Sequence, residues 1–461
     1  MTKDKQILLI REFLSKEIKP VIEIILSIAK KRKVYLVGGA IRDILLKRTP
    51  CDFDFAVSGQ GIKFAREFAK KIRGSFVLLS EKDDEARVVK DNIIYDFNGI
   101  GNKQIYYDLR RRDFTINAMA INLKRPVTLI DYFSGLKHLV QKKIVPTSND
   151  SLKLDPLRIL RAFRQALELN FKIDDKVYVL AKEITLNEIA SERISYELLR
   201  ICEHPKSFKY IKVLYQLGFM TQIFPLANEL VQDKYLFAHS LRTYKMIEAI
   251  VSGKSYFSQF KNEFETYFNS LPNRRALLKI AGLLHDIAKP HTQFETAEGD
   301  VHFYGHDNMG AKIVQKMANE KLRFSRKQTQ MLHKLIAFHM RLHLLATAPE
   351  LTDRAIRRFF RDLGDEFFGL MVLTFADGYA TAKKTVHLEQ KFLRMMKLKY
   401  ADDKKRKVIR LINGDDLIAI GYKPGPEFKP MLQELEEMQL DGKISTKEQG
   451  LEYIQEQHPI K

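Results

Sequence analysis

The stretch YLVGGAIRDILLKRTPCDFDFAVSG, residues 35–59, decides how the chain begins to fold. Its first half predicts a strand, a tight turn at Gly38 and Gly39, and a helix that carries Arg42 and Asp43. Glycines at such a turn let the backbone approach a ligand closely, and the amides at the start of a helix attract an anion such as phosphate. A double glycine also occurs in plain tight turns. The turn alone leaves both interpretations open.

The second half of the stretch, CDFDFAV, predicts a strand in which Asp52 and Asp54 share one face and Phe53 and Phe55 the other. Two neighbouring carboxylates repel each other unless cations lie between them. Two Mg²⁺ ions bound there would form the metal pair used in phosphoryl transfer. The alternative is a half-exposed strand with two solvated acids. A third acid, Asp96, lies at the end of another predicted strand, NIIYDFNG, and completes a carboxylate triad if the two strands are neighbours.

The composition favours a polyanionic partner. Among 461 residues, 78 Lys and Arg face 57 Asp and Glu, which leaves a formal net charge of +21. Such an excess favours nucleic acid through the release of its counterions. The chain has only two cysteines, Cys51 and Cys202, too few for a disulfide framework or a thiolate metal site, so a cytoplasmic location is expected. No signal peptide and no membrane span are expected from the hydropathy pattern.

The order of the predicted elements indicates an α+β fold. Residues 1–32 predict one amphipathic helix. Over residues 33–148, short apolar runs alternate with turns and helical segments, which predicts a domain with a small mixed sheet. From residue 149 to the end the strand signals almost vanish, so this part is expected to be all-helical.

Several motifs occur in an order that resembles one family. LVGGAIRD and DFDF are followed by DLRRRDFTINAMAIN at 108–122, DPLRILRAFR at 155–164 and ASERISYELLRI at 190–201. Together they resemble the class II tRNA nucleotidyltransferases (CCA-adding enzymes) and bacterial poly(A) polymerases, a family that adds nucleotides to RNA 3′ ends without a nucleic-acid template. The resemblance implies a nucleotidyltransferase head at 33–148, a helical RNA-binding neck at 149–228, an HD domain at 229–385 and a helical tail at 386–461.

The resemblance also implies roles for single residues. Asp52, Asp54 and Asp96 are expected to be catalytic, with Mg²⁺ held by Asp52 and Asp54. The implied partners are CTP, ATP and the 3′ acceptor end of tRNA. The residues expected to bind the nucleotide are Gly38, Gly39, Arg42, Asp43, Arg112, Asp113, Asp155, Arg158, Arg161 and Arg164.

Asp155 and Arg158 suit the recognition of C and A. A carboxylate accepts a hydrogen bond from the exocyclic amine that C and A share, and a guanidinium donates one to the ring nitrogen beside it. U and G present a carbonyl oxygen at that position, so the carboxylate repels them. Without the resemblance, Arg158, Arg161 and Arg164 would be interpreted as an exposed basic stripe. The chain departs from the family pattern at Leu154, where a glutamate normally precedes the aspartate.

A second set of residues predicts a metal site in the helical region. His239, the adjacent pair His285 and Asp286, and Asp377 resemble the ordered ligands of an HD domain. Imidazole and carboxylate together suit Mn, Ni, Mg or Fe, and a metal-bound water could hydrolyse a phosphoester. Candidate ligands for a second metal are His306, His333 and His339.

The segment between Asp96 and Asp108, the eleven residues FNGIGNKQIYY, bears on the product. In complete CCA-adding relatives this stretch is usually longer and forms a flexible loop that helps the base-reading pair shift from C to A. Gly99 and Gly101 are expected to keep the short segment pliable, but its reach is limited. We therefore expect a CC-adding specialist. The alternatives are full CCA addition, a poly(A) polymerase, and an HD phosphohydrolase with an RNA-binding head.

Overall fold

The computed structural model describes residues 3–124, 127–253, 257–347, 351–382, 385–405, 411–440 and 442–459. The chain divides into two compact units, Met1–His339 and Met340–Lys461. The first unit contains a sheet and many helices, and the second is built from helices.

The first unit begins with two helices, α1 (Lys3–Lys16) and α2 (Lys19–Ala29). The prediction of a single helix over residues 1–32 is therefore wrong. Pro20 lies in the first turn of α2. A proline inside a helix removes a hydrogen bond and clashes with the preceding turn, but it is tolerated where a helix starts. The chain consequently ends α1 and starts a new helix.

Seven strands form the sheet of the head, and the predicted small mixed sheet is confirmed. Their order across the sheet is third, fourth, fifth, second, first, sixth, seventh. The second and fifth strands are parallel, and all other neighbours are antiparallel. The strands are β1 (Val34–Val37), β2 (Asp52–Ser58), β3 (Ser75–Ser80), β4 (Glu85–Lys90), β5 (Ile93–Gly101), β6 (Ala120–Asn122) and β7 (Thr128–Ile130). The helices of the head are α3 (Gly39–Leu45), α4 (Gly61–Ile72), α5 (Ile105–Arg110) and α6 (Gly135–Val140).

Aromatic side chains fix how β2 and β5 pair. Phe53 stacks on Tyr95 with ring centroids 5.9 Å apart, and Phe55 stacks on Phe97 at 5.2 Å. Phe68 of α4 covers both rings of β5. This buried layer places the polar residues of both strands on the opposite face of the sheet.

β5 continues into the segment that was expected to be pliable and ends at Gly101. Asp96 lies inside the strand, so the prediction that it ends the strand is wrong, and α5 begins at Ile105. Gly99 lies within β5, where a Cβ would collide with Asp84 and with the backbone of Gly61. Gly99 therefore permits close packing of the chain, and the segment is more ordered than the expected pliable loop.

The remainder of the first unit is almost entirely helical. Two short strand pairs interrupt the helices, β8 (Lys143–Ile144) with β9 (Lys172–Ile173) and β10 (Phe294–Glu295) with β11 (Val301–His302). The prediction of an all-helical body therefore needs this small correction. The helices are α7 (Asn149–Leu154), α8 (Arg158–Leu169), α9 (Asp175–Ala181), α10 (Ser191–Glu203), α11 (Phe208–Gln216), α12 (Met220–Ile223), α13 (Asn228–Gln232), α14 (Lys234–Val251), α15 (Lys261–Asn269), α16 (Arg274–Leu284), α17 (Lys289–Thr292) and α18 (His306–Glu320), followed by α19 (Arg326–Thr347), which runs across the boundary of the two units.

In the second unit, the residues that the structure describes form helices and no strand. Leu417, Leu435 and Ile454 meet in a buried cluster near its C-terminal end. The helices are α20 (Asp353–Leu363), α21 (Phe367–Ala382), α22 (Val386–Lys405), α23 (Gly414–Ala419), α24 (Phe428–Leu440) and α25 (Lys447–Gln457). Within the described residues of the whole chain, no helix combines the length and apolar character that crossing a membrane requires.

Candidate active site

Two parallel strands carry the three acids that the sequence analysis identifies. β2 pairs with β5 so that Asp54 lies opposite Asp96 and Asp52 lies opposite Ile94. Because side chains alternate between the two faces of a strand, the three acids share one face while Phe53 is buried on the other. The structure thus brings the carboxylates together on adjacent strands.

Arginines lie against two of these carboxylates. Arg112 Nη1 is 3.6 Å from Asp54 Oδ2. Arg87, which pairs with Asp96 across β4 and β5, donates two hydrogen bonds of 2.8 and 2.9 Å to its carboxylate. Burial raises the pKa of Asp54, although part of its side chain still faces solvent, and Arg112 offsets only some of this effect. The positions beside the acids therefore attract cations.

The donor set of β2 and β5 fits a hard divalent cation. Carboxylate oxygens are the ligands that such ions prefer, and Asp52, Asp54 and Asp96 supply them from one face. As a group, the oxygens of the three acids do not lie within 4.8 Å of one another, because Arg87 and Arg112 hold two of the side chains. A bound cation would take over the charge balance that these arginines provide.

Asp108 holds Arg112 in place, and Gly38 leaves room for its guanidinium. Asp108 is buried and accepts hydrogen bonds from Arg112 Nε at 3.1 Å and from Asn98 Nδ2 at 2.8 Å. Gly38 has a φ of +81°, and a Cβ there would lie 2.8 Å from Arg112 Nη1 and closer still to Asp54 Oδ2. Only a glycine therefore allows the turn, Arg112 and the carboxylate of Asp54 to meet.

The expected nucleotide-binding residues of α3 join a polar network. Arg42 donates to both carboxylate oxygens of Asp43 at 2.9 and 2.8 Å and to Asn117 Oδ1 at 2.7 Å. Asn117 in turn donates to Asp113 at 2.9 Å, and Arg161 Nη2 lies 2.8 Å from the other oxygen of Asp113. Burial alone would raise the pKa of Asp113, but Arg161 and the hydrogen bonds lower it on balance. The network links α3 of the head to α8.

The expected base-reading pair does not form a direct ion pair at close range. Arg158 Nε is 3.9 Å from Asp155 Oδ2, and its guanidinium donates to the backbone carbonyls of Arg111 at 2.7 Å and Ser151 at 2.9 Å. Asp155 Oδ2 instead accepts from Arg193 Nη2 at 2.9 Å. Asp155 Oδ1 is buried and accepts no hydrogen bond. One acceptor oxygen is thus available where a base could be read.

Arg164 has two carboxylate partners within the helical part of the unit. It donates to Glu197 at 2.6 Å and to Glu168 at 2.8 Å, and the Glu197 side chain is 4% exposed. Burial would lower the pKa of Arg164, but the two carboxylates raise it. Carboxylates, rather than a bound ligand, therefore relieve the repulsion expected among the arginines of α8.

These groups line one cleft with a volume of about 1590 Å³. Ligand pockets for small molecules are commonly about 300–1,000 Å³, so the cleft can hold a nucleoside triphosphate and the end of a second molecule. Among the expected site residues of the head, Gly38 is not part of the cleft lining. The expected site residues that line the cleft are Gly39, Arg42, Asp43, Asp52, Asp54, Asp96, Arg112, Asp113, Asp155, Arg158, Arg161 and Arg164.

A second cluster lies in the first unit, centred on Asp286. Two groups of potential metal ligands share this residue, one with His239 and His285 and one with His306 and His339. Asp286 Oδ2 is 3.3 Å from His285 Nε2 and 3.7 Å from His239 Nε2, while Oδ1 is 3.5 Å from His306 Nε2. Oδ2 of Asp286 therefore faces the group that contains His239 and His285, and Oδ1 faces the group that contains His306.

Backbone carbonyls orient three of these imidazoles. The Nδ1 atoms of His285, His306 and His339 lie 3.0, 2.6 and 2.7 Å from carbonyl oxygens. An Nδ1–H that donates to a carbonyl leaves Nε2 free of its proton, which is the form that binds a metal. Lys289 Nζ lies 2.7 Å from Asp286 Oδ2 and balances its charge. The donor set fits one or two divalent transition-metal ions.

Two residues expected at this cluster are in neither group of potential metal ligands among the described residues. His333 precedes His339 by six residues on α19, roughly 240° around the helix, and its role as a second-metal ligand stays a prediction. Asp377 lies in the second unit, where its carboxylate is 3.1 Å from His343 Nε2. Its role as a ligand stays a prediction.

Several residues that shape the cleft were not predicted from the sequence. Asp108 and Asn117 lie inside the motif DLRRRDFTINAMAIN, but the sequence alone assigned neither residue a role. Arg87 could have been found, because the Asp91-Asn92 dipeptide, with φ values of 49° and 62°, is typical of a two-residue hairpin turn. Counting back from that turn places Arg87 opposite Asp96. No pattern in the neighbouring sequence predicts that Arg193 pairs with Asp155.

Three family models match the chain. The poly A polymerase head domain matches residues 34–145. The model described as "Probable RNA and SrmB- binding site of polymerase A" matches residues 170–230, and the HD domain matches residues 236–377. The head match contains β1 to β7, and the HD match contains both groups of metal ligands.

Relatives that match this chain over most of their length are named as tRNA nucleotidyltransferases. The chain is 29% identical over 430 residues to the CC-adding tRNA nucleotidyltransferase of Synechocystis sp., which covers 91% of this chain and 92% of that protein. It is 26% identical over 437 residues to the A-adding tRNA nucleotidyltransferase of Deinococcus radiodurans, with 91% and 94% covered. The solved structure of the Thermotoga maritima CCA-adding enzyme complexed with tRNA is 23% identical, covers 97% of both chains and has a TM-score of 0.62. The fold is shared with that structure.

Proposed function

We propose that this chain, a relative of the tRNA nucleotidyltransferases over 91% of its length, adds nucleotides to the 3′ ends of tRNA from CTP and ATP. The resemblance and the enzyme class expected from the motifs are confirmed by the matching head domain and relatives. The observation that carries the proposal is the register of β2 and β5, which places Asp54 opposite Asp96 in the cleft that also holds Asp155.

The head carries out the transfer of a nucleotide. Nucleotidyltransferase and HD domains generally use divalent metals, and we propose Mg²⁺ for the head, held by Asp52 and Asp54 with Asp96 beside them. When bound, it neutralises charge on the triphosphate and lowers the pKa of the attacking hydroxyl. The RNA 3′-hydroxyl attacks the α-phosphorus in line, a new phosphodiester bond forms, and pyrophosphate leaves with the electron pair of the broken bond.

The arginines of the cleft bind the triphosphate. Arg112 and Arg42 pair with carboxylates in the structure, and a phosphate offers the same kind of acceptor to a guanidinium. Asp108 holds Arg112 from behind through Nε, which leaves its Nη atoms to face the nucleotide. Arg161, already fixed by Asp113, lies one helical turn beyond Arg158 on the same helix.

Base selection follows from the vacant acceptor on Asp155. Its Oδ1 accepts the amine hydrogen of C or A, and Arg158 donates to the adjacent ring nitrogen once it gives up a backbone carbonyl. U and G would place a carbonyl oxygen against the carboxylate, which leaves both acceptors without a donor. An unsatisfied buried pair of this kind typically costs about 1–3 kcal/mol.

The direct test is incubation of the protein with tRNA that lacks its 3′ end and with each nucleoside triphosphate singly, followed by sequencing of the products. Addition of one or two C residues is expected, with U and G rejected. Asp52→Asn and Asp54→Asn should abolish addition while tRNA binding remains. Long A tails would identify a poly(A) polymerase, and undiminished turnover in either variant would overturn the assigned metal ligands.

We further propose that the chain is a CC-adding specialist. Residues 97–101 lie in β5 and α5 starts at Ile105, so little chain is left that could rearrange the pocket for the larger purine. Both CC-adding and A-adding relatives match. The deciding assay offers ATP alone to tRNA that already ends in CC, where efficient addition of one A would overturn the specialisation.

A second activity is proposed for the HD domain on the two ligand groups that share Asp286. Bound Mn, Ni, Mg or Fe would supply a hydroxide for hydrolysis of a phosphoester, and Lys289 would stabilise the charge on Asp286. His285→Ala should remove both the metal, measured by elemental analysis, and hydrolysis of 2′,3′-cyclic nucleotides, while nucleotide addition persists. Loss of both activities together would contradict two independent sites.

We propose the domain division 1–32, 33–148, 149–228, 229–385 and 386–461. The matches to the head domain and the HD domain fall within the second and fourth of these segments, and the match to the RNA-binding model, residues 170–230, ends two residues beyond the third. A cytoplasmic location is proposed from the two cysteines, both of which are free thiols. Fractionation of cells that produce the protein with its native ends tests the location.

A further inference from the structure

We propose that Arg193 determines nucleotide specificity by holding Asp155 in the orientation that reads the base. The inference rests on the proposed nucleotide addition and deepens it. Arg193 lies on α10, whereas Asp155 lies between α7 and α8 and Arg158 begins α8; Arg193 does not reach the base itself. It is a positioning residue for the carboxylate that does.

The two oxygens of Asp155 have different surroundings. Oδ2 accepts a hydrogen bond of 2.9 Å from Arg193 Nη2, whereas Oδ1 is buried and accepts none. A buried carboxylate oxygen without a donor is rare in proteins. Because the side chain lines the cleft, its open oxygen is the place where the amine of C or A would donate.

Arg158 does not perform this positioning. Its Nη atoms donate to the carbonyls of Arg111 and Ser151, and its Nε is 3.9 Å from Asp155 Oδ2, beyond hydrogen-bond distance. The residue before Asp155 cannot help either, since Leu154 is apolar and 74% exposed. The partner of Asp155 Oδ2 is instead Arg193 of α10.

The helix that presents Arg193 is firmly anchored. One turn further along α10, Glu197 pairs with Arg164 at 2.6 Å, and Glu203 accepts from the backbone amide of Ala276 at 2.9 Å. These contacts tie α10 to α8 on one side and to α16 on the other. The guanidinium of Arg193 therefore approaches Asp155 from a fixed scaffold.

Loss of Arg193 changes what Asp155 can do. The freed carboxylate can rotate and pair with Arg158 through both oxygens, because bidentate pairing is the favoured geometry for arginine and carboxylate. No oxygen then faces the amine of C or A, and nothing repels the carbonyl of U. Discrimination falls even though every group that touches the nucleotide is still present.

The experiment measures kcat/KM for CTP and for UTP on tRNA that lacks its 3′ end, in the wild type, Arg193→Ala and Arg193→Lys. We expect the preference for CTP over UTP to fall roughly tenfold or more in Arg193→Ala, mainly through a higher KM for CTP. Lysine restores the charge without the planar fork, so its preference should lie between the two. The matched control is Arg323→Ala. It removes an arginine that pairs with Glu192, the residue of α10 next to Arg193, and this variant should select CTP as the wild type does.

Equilibrium binding of CTP and UTP, measured by calorimetry without RNA, supplies a readout independent of transfer. Equal selectivity in Arg193→Ala and the wild type, in either measurement, would overturn the inference, as would a loss of kcat with the CTP:UTP ratio unchanged. A wild type that transfers no nucleotide but binds CTP over UTP, with that preference lost in Arg193→Ala, would refute the proposed function and leave the positioning role intact. Should Arg193→Ala not fold, Arg193→Met, which keeps an unbranched side chain but has no donor, takes its place, and unchanged CTP:UTP selectivity in that variant would overturn the inference.

Discussion

Replacing Gly38 by alanine should disable the head without unfolding it. The new Cβ would approach Asp54 Oδ2 well inside the 3.0 Å that real Cβ atoms keep, so the carboxylate must retreat by roughly 0.6 Å, and Arg112 Nη1, 2.8 Å from the Cβ, must move as well. A misplacement of about 1 Å at a reacting centre can reduce the rate about 100-fold, equivalent to about 2.7 kcal/mol of activation free energy. We therefore expect CTP addition to fall by one to two orders of magnitude.

The backbone adds a separate effect on stability. Gly38 has φ +81° and ψ −148°, a region that is nearly exclusive to glycine and costs other residues about 1–3 kcal/mol. The matched control is Gly101→Ala, because Gly101 also has a positive φ, of +55°, but a Cβ there meets nothing within 4 Å. Both variants should lose stability in urea denaturation, whereas only Gly38→Ala should lose transfer far beyond this effect. Equal activities in the two variants would refute the steric reasoning.

Three further predictions concern other parts of the first unit. Asp155→Ala should let UTP or GTP compete with CTP, measured by sequencing of mixed-nucleotide products; a drop in rate with unchanged fidelity would contradict base reading. Lys279→Ala should lower the free energy of unfolding by about 3–5 kcal/mol, because Lys279 is fully buried, donates to the carbonyls of Cys202 and His204 at 2.7 and 2.8 Å and lies 3.5 Å from Glu248 Oε2. Lys279→Met, which keeps the volume but not the charge, should lose less, and an unchanged stability of Lys279→Met would refute a contribution of the charge. Because burial raises the pKa of Asp54, its carboxylate takes up a proton as pH falls through that raised value, so the metal-free protein should gain stability from this group between the raised value and the ordinary aspartate value. Urea denaturation at several pH values measures this gain, and an Asp54→Asn variant with the same pH dependence as the wild type would refute the shift.

Much of the head could be predicted from local patterns. The alternation in CDFDFAV specifies which side chains of β2 are buried, and the glycine pair specifies the turn before α3. The sequence predicts Asp96 as a third acid but places it at the end of its strand, whereas β5 continues to Gly101. In the structure Gly99 packs against Gly61 and the side chain of Asp84, a long-range contact that composition does not announce.

The candidate sites illustrate the same limit. The ordered ligand types predict one set, His239, His285, Asp286 and Asp377, with His306, His333 and His339 as candidates for a second metal, but which of them meet depends on packing. The ion pair of Arg193 with Asp155 joins α10 to the segment between α7 and α8, and charge pairs of this kind depend on how helices pack. Residue type and spacing predicted the chemistry, and tertiary packing determined the partners.

The pairing of β2 with β5 has a consequence for the evolution of the protein. The acids and the aromatic rings alternate along the same strand, so a slip of one residue would drive Asp52 and Asp54 into the buried layer and expose Phe53 and Phe55. The charges thus act against misregistered folding as well as for chemistry. A descendant that lost the reaction and replaced these acids with apolar residues would also lose the charges that disfavour the misregistered sheet. Selection for correct folding would therefore tend to preserve acidic residues at these positions even in a copy of the domain that no longer transfers nucleotides.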